Sequence, residues 1–560
     1  MSNGPASIDV SHARRGSAKG GYADGKKLVK FGPGARTLDR TSVTGVRHTA
    51  GMQLAQVTET SAAVAGTRSR TAKTGLLAEA LELAARGGDD REVEVVADYL
   101  AGTLPQRTVG VGWRSLRERP GPAGEATLSV LEVDAALSEL KALSGAGSTA
   151  ARARALSDLL GRATAQEQDW LVGLLTGELR QGAGDGVLLP AVAQAAQVPE
   201  ALVRRAVMLA GFPGPVARAA LGDGAPALEQ VRLEVGRPLR PMLAGSEPDV
   251  ASAVDGTREV ALDLKLDGIR LQAHLDRDAD PADPVRLFTR SLEEITDRLP
   301  EVVAAVAALP ARTAVLDGEV IALDAEGRPE PFQVTGARTA SRTDPVELAR
   351  TTPVTTYLFD VLHLDGRDLV DEPAHERWRV LGELAPELVV ERLTTDDPGA
   401  AQAFFDRVVG QGHEGVVVKD PQAPYAAGRR GAGWVKVKPR RTADLVVTGV
   451  EWGSGRRQGW LSNIHLAARG ADGELVMVGK TFKGMTDELL TWQTERFLGL
   501  ETSREGHVVQ VRPEQVVEVA YDAVQTSRRY AGGVALRFAR VLRYRDDKGV
   551  EEIDTVESLR

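Results

Sequence analysis

The sequence predicts a multidomain fold: an all-α region, an α+β region built on antiparallel sheets, and a small C-terminal β-barrel. Three observations predict it. Apolar residues recur at helical spacing from Met52 to about Leu233. Pro238 and Pro241 then break that pattern, and strands alternate with helices. After Arg441 the chain reads as short strands divided by Gly- and Asp-containing turns. A length of 560 residues fits three or four domains at roughly 100–200 residues each.

Residues 1–51 carry nine Lys/Arg against three acids, many Gly and Ser, and no periodicity, so they read as a flexible basic tail. Residues 52–236 form the helical domain. Leu76, Leu77, Ala80, Leu81 and Ala84 share one helical face, as do Trp170, Leu171, Leu174 and Leu175. Gly177–Gly182 reads as a helix end, with Arg180 beside it. Residues 237–441 form the α+β domain, with strands expected at Val260–Leu266, Val285–Arg290, Ala314–Leu323 and Thr356–Leu362 and a helix at Pro300–Leu309. In residues 442–560, strands are expected at Leu445–Trp452, Ile464–Ala468, Leu475–Phe482, Val508–Val511, Val516–Tyr521 and Leu536–Tyr544. That spacing suits a barrel such as an OB-fold.

Composition narrows the chemistry. With no cysteine there are no disulfides, thiolate catalysis or Cys-ligated zinc. No run approaches the roughly 18 apolar residues of a membrane helix, and the first thirty residues have no apolar segment resembling a secretory signal. The net charge of −9 means that any nucleic-acid partner must meet a local basic patch. Tyr425–Arg441 is such a patch, with six Lys/Arg and no acid. Only 13 of the 69 basic residues are Lys, and between Thr74 and Val418 only Lys141 and Lys265 occur. An amine can lose its proton whereas a guanidinium essentially cannot, so a surviving Lys is a candidate nucleophile.

Asp263-Leu-Lys265-Leu-Asp267-Gly268-Ile-Arg270 places one such Lys at a strand end before a tight turn. At an ordinary pKa near 10.4, about 0.1% of a lysine is neutral at pH 7, so nearby cations such as Arg270 or a metal ion would have to favour the free amine. Downstream, in order, come Phe288-Thr-Arg290-Ser, Leu316-Asp317-Gly318-Glu319, Tyr357-Leu-Phe359-Asp360, His413-Glu414-Gly415, Trp434-Val435-Lys436-Val437-Lys438-Pro439, and Leu536-Arg537-Phe538-Ala539-Arg540 with Arg545-Asp546-Asp547-Lys548.

This series resembles the covalent nucleotidyltransferases, the superfamily of polynucleotide ligases and capping enzymes. The helical domain, with Gly110-Val-Gly-Trp113 and Arg240-Pro-Met-Leu243-Ala, is similar to the DNA-binding domain of cellular ATP-dependent DNA ligases. The resemblance implies that Lys265 takes AMP from ATP, passes it to the 5′-phosphate of a nick in duplex DNA, and that the 3′-hydroxyl then closes the strand. Such an enzyme serves replication, recombination and repair. It further implies that Asp263, Arg270, Arg290, Glu319, Phe359, Arg430, Lys436 and Lys438 bind the nucleotide, that Glu319 and Glu414 hold Mg²⁺, and that Arg540 and Lys548 orient the departing pyrophosphate. A monomer in the bacterial cytoplasm, at the nucleoid and away from membranes, is the corresponding expectation. The zinc module of the NAD-dependent ligases requires cysteine, which points to ATP. An RNA-directed ligase, a capping enzyme and a non-catalytic scaffold are the rival readings. Asp263 stands where the family often has Glu, Ala539 replaces a frequent Pro, and Asp276–Pro284 lengthens a hairpin.

Overall fold

The structure is a computed structural model that describes residues 51–145, 147–179, 181–341, 343–427 and 433–559. The basic tail up to residue 50, Arg180, Arg429 and Arg430 lie outside the described residues.

Helices run from Leu54–Gly66 to Ala225–Glu229 and share one core, in which Leu54, Leu77, Leu81, Leu100, Leu137 and Leu171 are fully buried. Local chemistry sets their ends. Ser129 with Glu132, and Thr164 with Glu167, close reciprocal capping boxes at the starts of Val130–Ala142 and Ala165–Leu175. The latter helix ends as expected, where Gly177 takes a φ of 68° and Glu178 N–H returns to the Gly173 carbonyl.

The segment around Pro238 and Pro241, where the helical pattern breaks, is anchored on both sides. Arg240 N–H donates to the Met208 carbonyl of the helical domain. Leu239 N–H donates to Gln272 Oε1 at 2.7 Å, and Gly236 N–H to His274 Nδ1 at 2.9 Å. Burial, with His363 nearby, pushes the His274 pKa down to about 3, so a neutral ring can accept from Gly236 and donate through Nε2 to Gln272.

The α+β region contains two five-stranded sheets. The first has the order β1 (Gly245–Ser246), β10 (Trp434–Val437), β9 (Gly415–Lys419), β2 (Val260–Lys265), β8 (Arg392–Thr395). The second has the order β4 (Val285–Thr289), β3 (Ile269–Asp276), β5 (Thr313–Ala322), β6 (Val354–Leu364), β7 (Arg367–Asp368). Except for the short parallel pairing of β1 with β10, neighbours run antiparallel. The expected strands shift by a residue or two. β3 and the helices Ala374–Leu384 and Pro398–Gly410 were not anticipated. β3 alternates apolar Ile269, Leu271, Ala273 and Leu275 with polar Arg270, Gln272, His274 and Asp276, and its polar face is largely buried too.

After β11 (Arg441–Trp452) come β12 (Leu461–Arg469), β13 (Leu475–Thr481), β14 (Glu501–Glu505), β15 (Val508–Val511), β16 (Val516–Tyr521), the hairpin β17 (Ala523–Thr526) and β18 (Val534–Arg537), and β19 (Arg540–Arg545). The first half of β11 pairs with β16 and its second half with β15, while β12 lies along its other edge. The single strand expected at Leu536–Tyr544 is broken at Phe538, whose φ is 56°. The helix Asp487–Gly499 was also not anticipated, and it buries Leu490 and Phe497 against the sheet.

Arg377 and Asp360 form a fully buried bidentate pair with hydrogen bonds of 2.7 and 2.8 Å, fixing Ala374–Leu384 to β6. Arg377→Ala strands the Asp360 charge. The expected loss is about 3–5 kcal/mol, read as a lower thermal midpoint that Arg377→Ala/Asp360→Ala partly restores.

Candidate active site

A cavity of about 1080 Å³ draws its walls from both five-stranded sheets. Strand parity explains its lining. Asp263 and Lys265 are two apart on β2, as are Val417 and Lys419 on β9 and Trp434 and Lys436 on β10, so each pair faces the same side, and all six line the cavity. From the second sheet come Arg270 of β3, Thr289 with the exposed Arg290 after β4, Glu319 of β5 and Phe359 of β6.

Glycines allow the close approach. A Cβ at Gly268 would collide with the Val320 carbonyl and the Ile321 side chain of β5. Gly415, at φ 135°, lies so near the Val437 carbonyl of β10 that a side chain has no room. Gly268 N–H then donates to Glu319 Oε1 at 3.1 Å, while Lys265, paired in register with Gly415, reaches the adjacent Glu414.

Glu414 is shared by two ammonium groups. One carboxylate oxygen accepts from Lys265 Nζ and the other from Lys438 Nζ. Burial opposes ionisation there, but the two lysines hold the carboxyl below its ordinary range. Lys438 also lies 3.2 Å from Asp522 and is held above the usual lysine range despite its burial. Lys436 moves the other way, because burial and the Lys438 and Lys265 charges favour its free amine. Glu319 has no such pair of cations. Burial pushes its pKa up to about 7, against the pull of Arg270 and Lys265.

The inner end of the cavity is aromatic and cationic. Lys419 Nζ lies 4.5 Å from the Phe359 ring centroid, 4.2 Å from that of Trp434 and 2.6 Å from Asp263. Burial brings the Lys419 pKa down to about 8, with Asp263 resisting. Arg392 grips Asp263 with bonds of 2.5 and 2.8 Å.

The structure brings Lys265, Asp263, Arg270, Arg290, Glu319, Phe359 and Lys436 together on one cavity. Three expectations change. The Arg270 guanidinium is committed to Asp317 at 2.6 and 2.5 Å, with Phe359 at 4.7 Å, so it braces the wall rather than facing Lys265. Glu414 and Lys438 join the site through Lys265 without lining the cavity. Lys548 is bonded to Asp444 within the C-terminal region, and Arg540 is exposed on β19. The residue of that segment that does reach the site is Arg537, 3.0 Å from Asp267 and 5.2 Å from the ring of Phe332, which lines the cavity. Sequence reasoning gave no role to Lys419, although the lysine count singles it out, nor to Arg537, although it lies within a quoted motif, and no local signal marks Arg392.

Family descriptions match in three places: "DNA ligase N terminus" at residues 111–193, "ATP dependent DNA ligase domain" at 241–438, and "ATP dependent DNA ligase C terminal region" at 457–548. A protein of Beutenbergia cavernae named "Probable DNA ligase" is 58% identical over 518 residues, covering 91% of this chain and 99% of its own length. A Nocardioides protein of the same name is 59% identical over 513 residues, covering 90% and 98%. The solved structure named Pmar-Lig_PreS3 shares the fold, with a TM-score of 0.55 at 19% identity, over 87% of this chain and 99% of its own.

The raised Glu319 pKa predicts a pH dependence. An acid whose pKa is higher in the folded state contributes nothing adverse below its unfolded pKa of 4.5 and destabilises the fold as pH rises through about 7. In the ligand-free protein, Glu319→Gln removes that cost. Its thermal stability should therefore gain on the wild type between about pH 5 and 8, by up to about 3 kcal/mol.

Proposed function

Because this chain belongs to the ATP-dependent DNA ligase family, we propose that the cavity of Lys265 is its adenylation site and that it seals nicks in duplex DNA. The supporting observation is the convergence of Lys265, Glu414, Lys436 and Lys438 beside a cavity that ends in Phe359 and Trp434. A purine fits against the aromatic faces, and phosphates fit against the cations.

Lys265 Nζ, once neutral, attacks the α-phosphorus of ATP. A P–N bond forms, the bond to pyrophosphate breaks, and the leaving group carries away the electron pair. Lys436, and Lys438 when free of Glu414, stabilise the charge growing on the phosphoryl oxygens. The 5′-phosphate of the nick then takes AMP from the lysine. Finally the 3′-hydroxyl attacks that activated phosphate, joining the strand and releasing AMP. Arg290, exposed at the mouth, suits a strand phosphate. Phe359 presents a face to the base. Asp263 acts through Lys419 and Arg392 at the inner end, and Arg270 braces Phe359. Arg430 is retained as a further phosphate ligand on sequence grounds alone.

The carboxylates fit Mg²⁺, a hard cation that takes one or two carboxylates together with substrate phosphates. The Glu319 carboxyl accepts from Gly268 N–H, and Glu414 accepts from Lys265. Mg²⁺ held there would supply positive charge to the phosphates and compete with Lys265 for Glu414.

We read residues 52–236 as the domain gripping duplex DNA through its backbone, 237–441 as the adenylation domain and 442–560 as an OB-type barrel, since one long strand serves two partners along its length as barrel closure requires. A cytoplasmic monomer at the nucleoid is the corresponding setting.

Lys265→Arg keeps a positive charge but removes the amine that can become neutral. Incubation with α-labelled ATP and Mg²⁺, followed by a denaturing gel, should give a labelled band for the wild type and none for the variant. Sealing of nicked duplex should proceed with ATP and fail with NAD as the sole cofactor.

A further inference from the structure

A second cavity, of about 460 Å³, lies in the C-terminal region and is lined by Lys480, Phe482, His507, Arg529 and Tyr530 around Glu451 and Asn463. Its acid is already neutralised. Glu451 accepts from Lys480, from His465 at 2.9 Å and from Asn463 at 2.6 Å, and despite some burial these bonds bring its pKa down to about 2. No carboxylate pairs with Arg529 among the described residues, and Arg457 donates to the Phe482 carbonyl beside it. The remaining charge of the pocket is therefore positive. Phe482 is 54% exposed, and the Arg457 guanidinium lies 5.9 Å from its ring centroid. Tyr530 offers a second ring, with Arg529 5.8 Å from its centroid. Asn463 Oδ1 is buried and has no hydrogen-bond partner.

Cations beside an exposed aromatic ring form the recognition set of an unpaired nucleotide: the ring stacks on the base and the cations meet its phosphate. A fully paired duplex keeps its base faces stacked on each other and has no use for Phe482. The location agrees. The loop Ser527–Gly533, which contributes Arg529 and Tyr530, joins β17 to β18. The open end of that hairpin contacts the adenylation domain through Arg537 to Asp267, and Gln525, nearer the loop, reaches Gln333. Four residues per strand at about 3.3 Å each give ~13 Å, a few nucleotides of strand, between the Lys265 turn and this pocket.

We propose that this pocket is a subsite for an unpaired DNA strand running away from the ligation junction, as at a frayed nick or an end with an overhang. The proposal rests on the ligase reading and extends it to a second class of DNA conformation. Phe482 stacks on one base, Arg529 and His507 pair with the adjoining phosphates, and Lys480 stays on Glu451 to keep the pocket cationic.

The test is fluorescence anisotropy of a labelled oligothymidine and of a labelled intact duplex, with wild type, Phe482→Ala and Arg529→Ala in the full chain. Both side chains are at the surface, and neither is in the adenylation site. Phe482→Ala should bind the single strand about tenfold more weakly, as expected for one lost stacked base. Arg529→Ala should also bind it more weakly, with a salt slope shallower by about one ion. Both variants should bind duplex and take label from ATP as the wild type does. Wild-type affinity of Phe482→Ala for the single strand overturns the proposal, as does an equal loss for duplex, which would make this a general basic patch. Failure of the wild type to self-adenylate would instead overturn the ligase reading, so the two failures are distinct.

Discussion

A single carboxylate holds the amine proposed as the nucleophile. Glu414 holds Lys265 on one oxygen and Lys438 on the other. A lysine held this way is well placed but inactive as a nucleophile, because attack needs an unprotonated nitrogen with its lone pair free. Under the proposed function, Glu414 exchanges partners before Lys265 reacts. The residues around it favour such an exchange. Glu319 is a second acid whose burial makes it costly to ionise without a cation nearby, and Lys436 is disposed by its neighbours toward the neutral amine. Arrival of triphosphate and a divalent cation would satisfy all three groups together.

The arrangement depends on how closely the two sheets approach. Gly268, in the turn after Lys265, lets that turn lie against β5 of the second sheet, and Gly415, paired in register with Lys265, lies against β10 of its own sheet; a side chain at either would push the neighbour away. Strand parity then aligns the functional side chains without help from loops. The anchors lie behind this face. Arg270–Asp317, with Tyr425 donating to the same carboxylate at 2.7 Å, and Arg377–Asp360 are buried ion pairs that define where β5 and β6 sit. Replacing one partner of such a pair is costly because the other charge remains in a low-dielectric setting. The same face of β3 fastens the segment from the helical region through Gln272 and His274. The fold thus uses one strand both to brace the nucleotide wall and to hold the neighbouring domain.

What the sequence reveals, and what it conceals, follows from the range of each interaction. Asp263 and Lys265, or Trp434 and Lys436, are two apart on a strand, so their common face can be read directly from spacing. The scarcity of lysine in an arginine-rich chain pointed to Lys265, whereas Lys436 and Lys438 were legible through the resemblance of their motif. Arg392 meets Asp263 across 129 residues of chain, and Arg537 meets Asp267 across 270, and no periodicity encodes such meetings. β3 was legible, since Ile269, Leu271, Ala273 and Leu275 alternate with polar residues; what spacing does not tell is that Gln272 and His274 on the polar face are buried. The break at Phe538 was hidden because an αL backbone at an aromatic residue is a tertiary outcome rather than a local preference. Lys548 was placed by analogy at the nucleotide, whereas here it lies on Asp444, in the same domain.

The most direct measurement is peptide mapping by mass spectrometry of the wild-type protein after exposure to ATP and Mg²⁺. The account predicts one AMP per chain, carried by the peptide that contains Lys265 and linked through its side-chain nitrogen. An adduct on Lys419, Lys436 or Lys438 instead, or no adduct on any lysine, would contradict it.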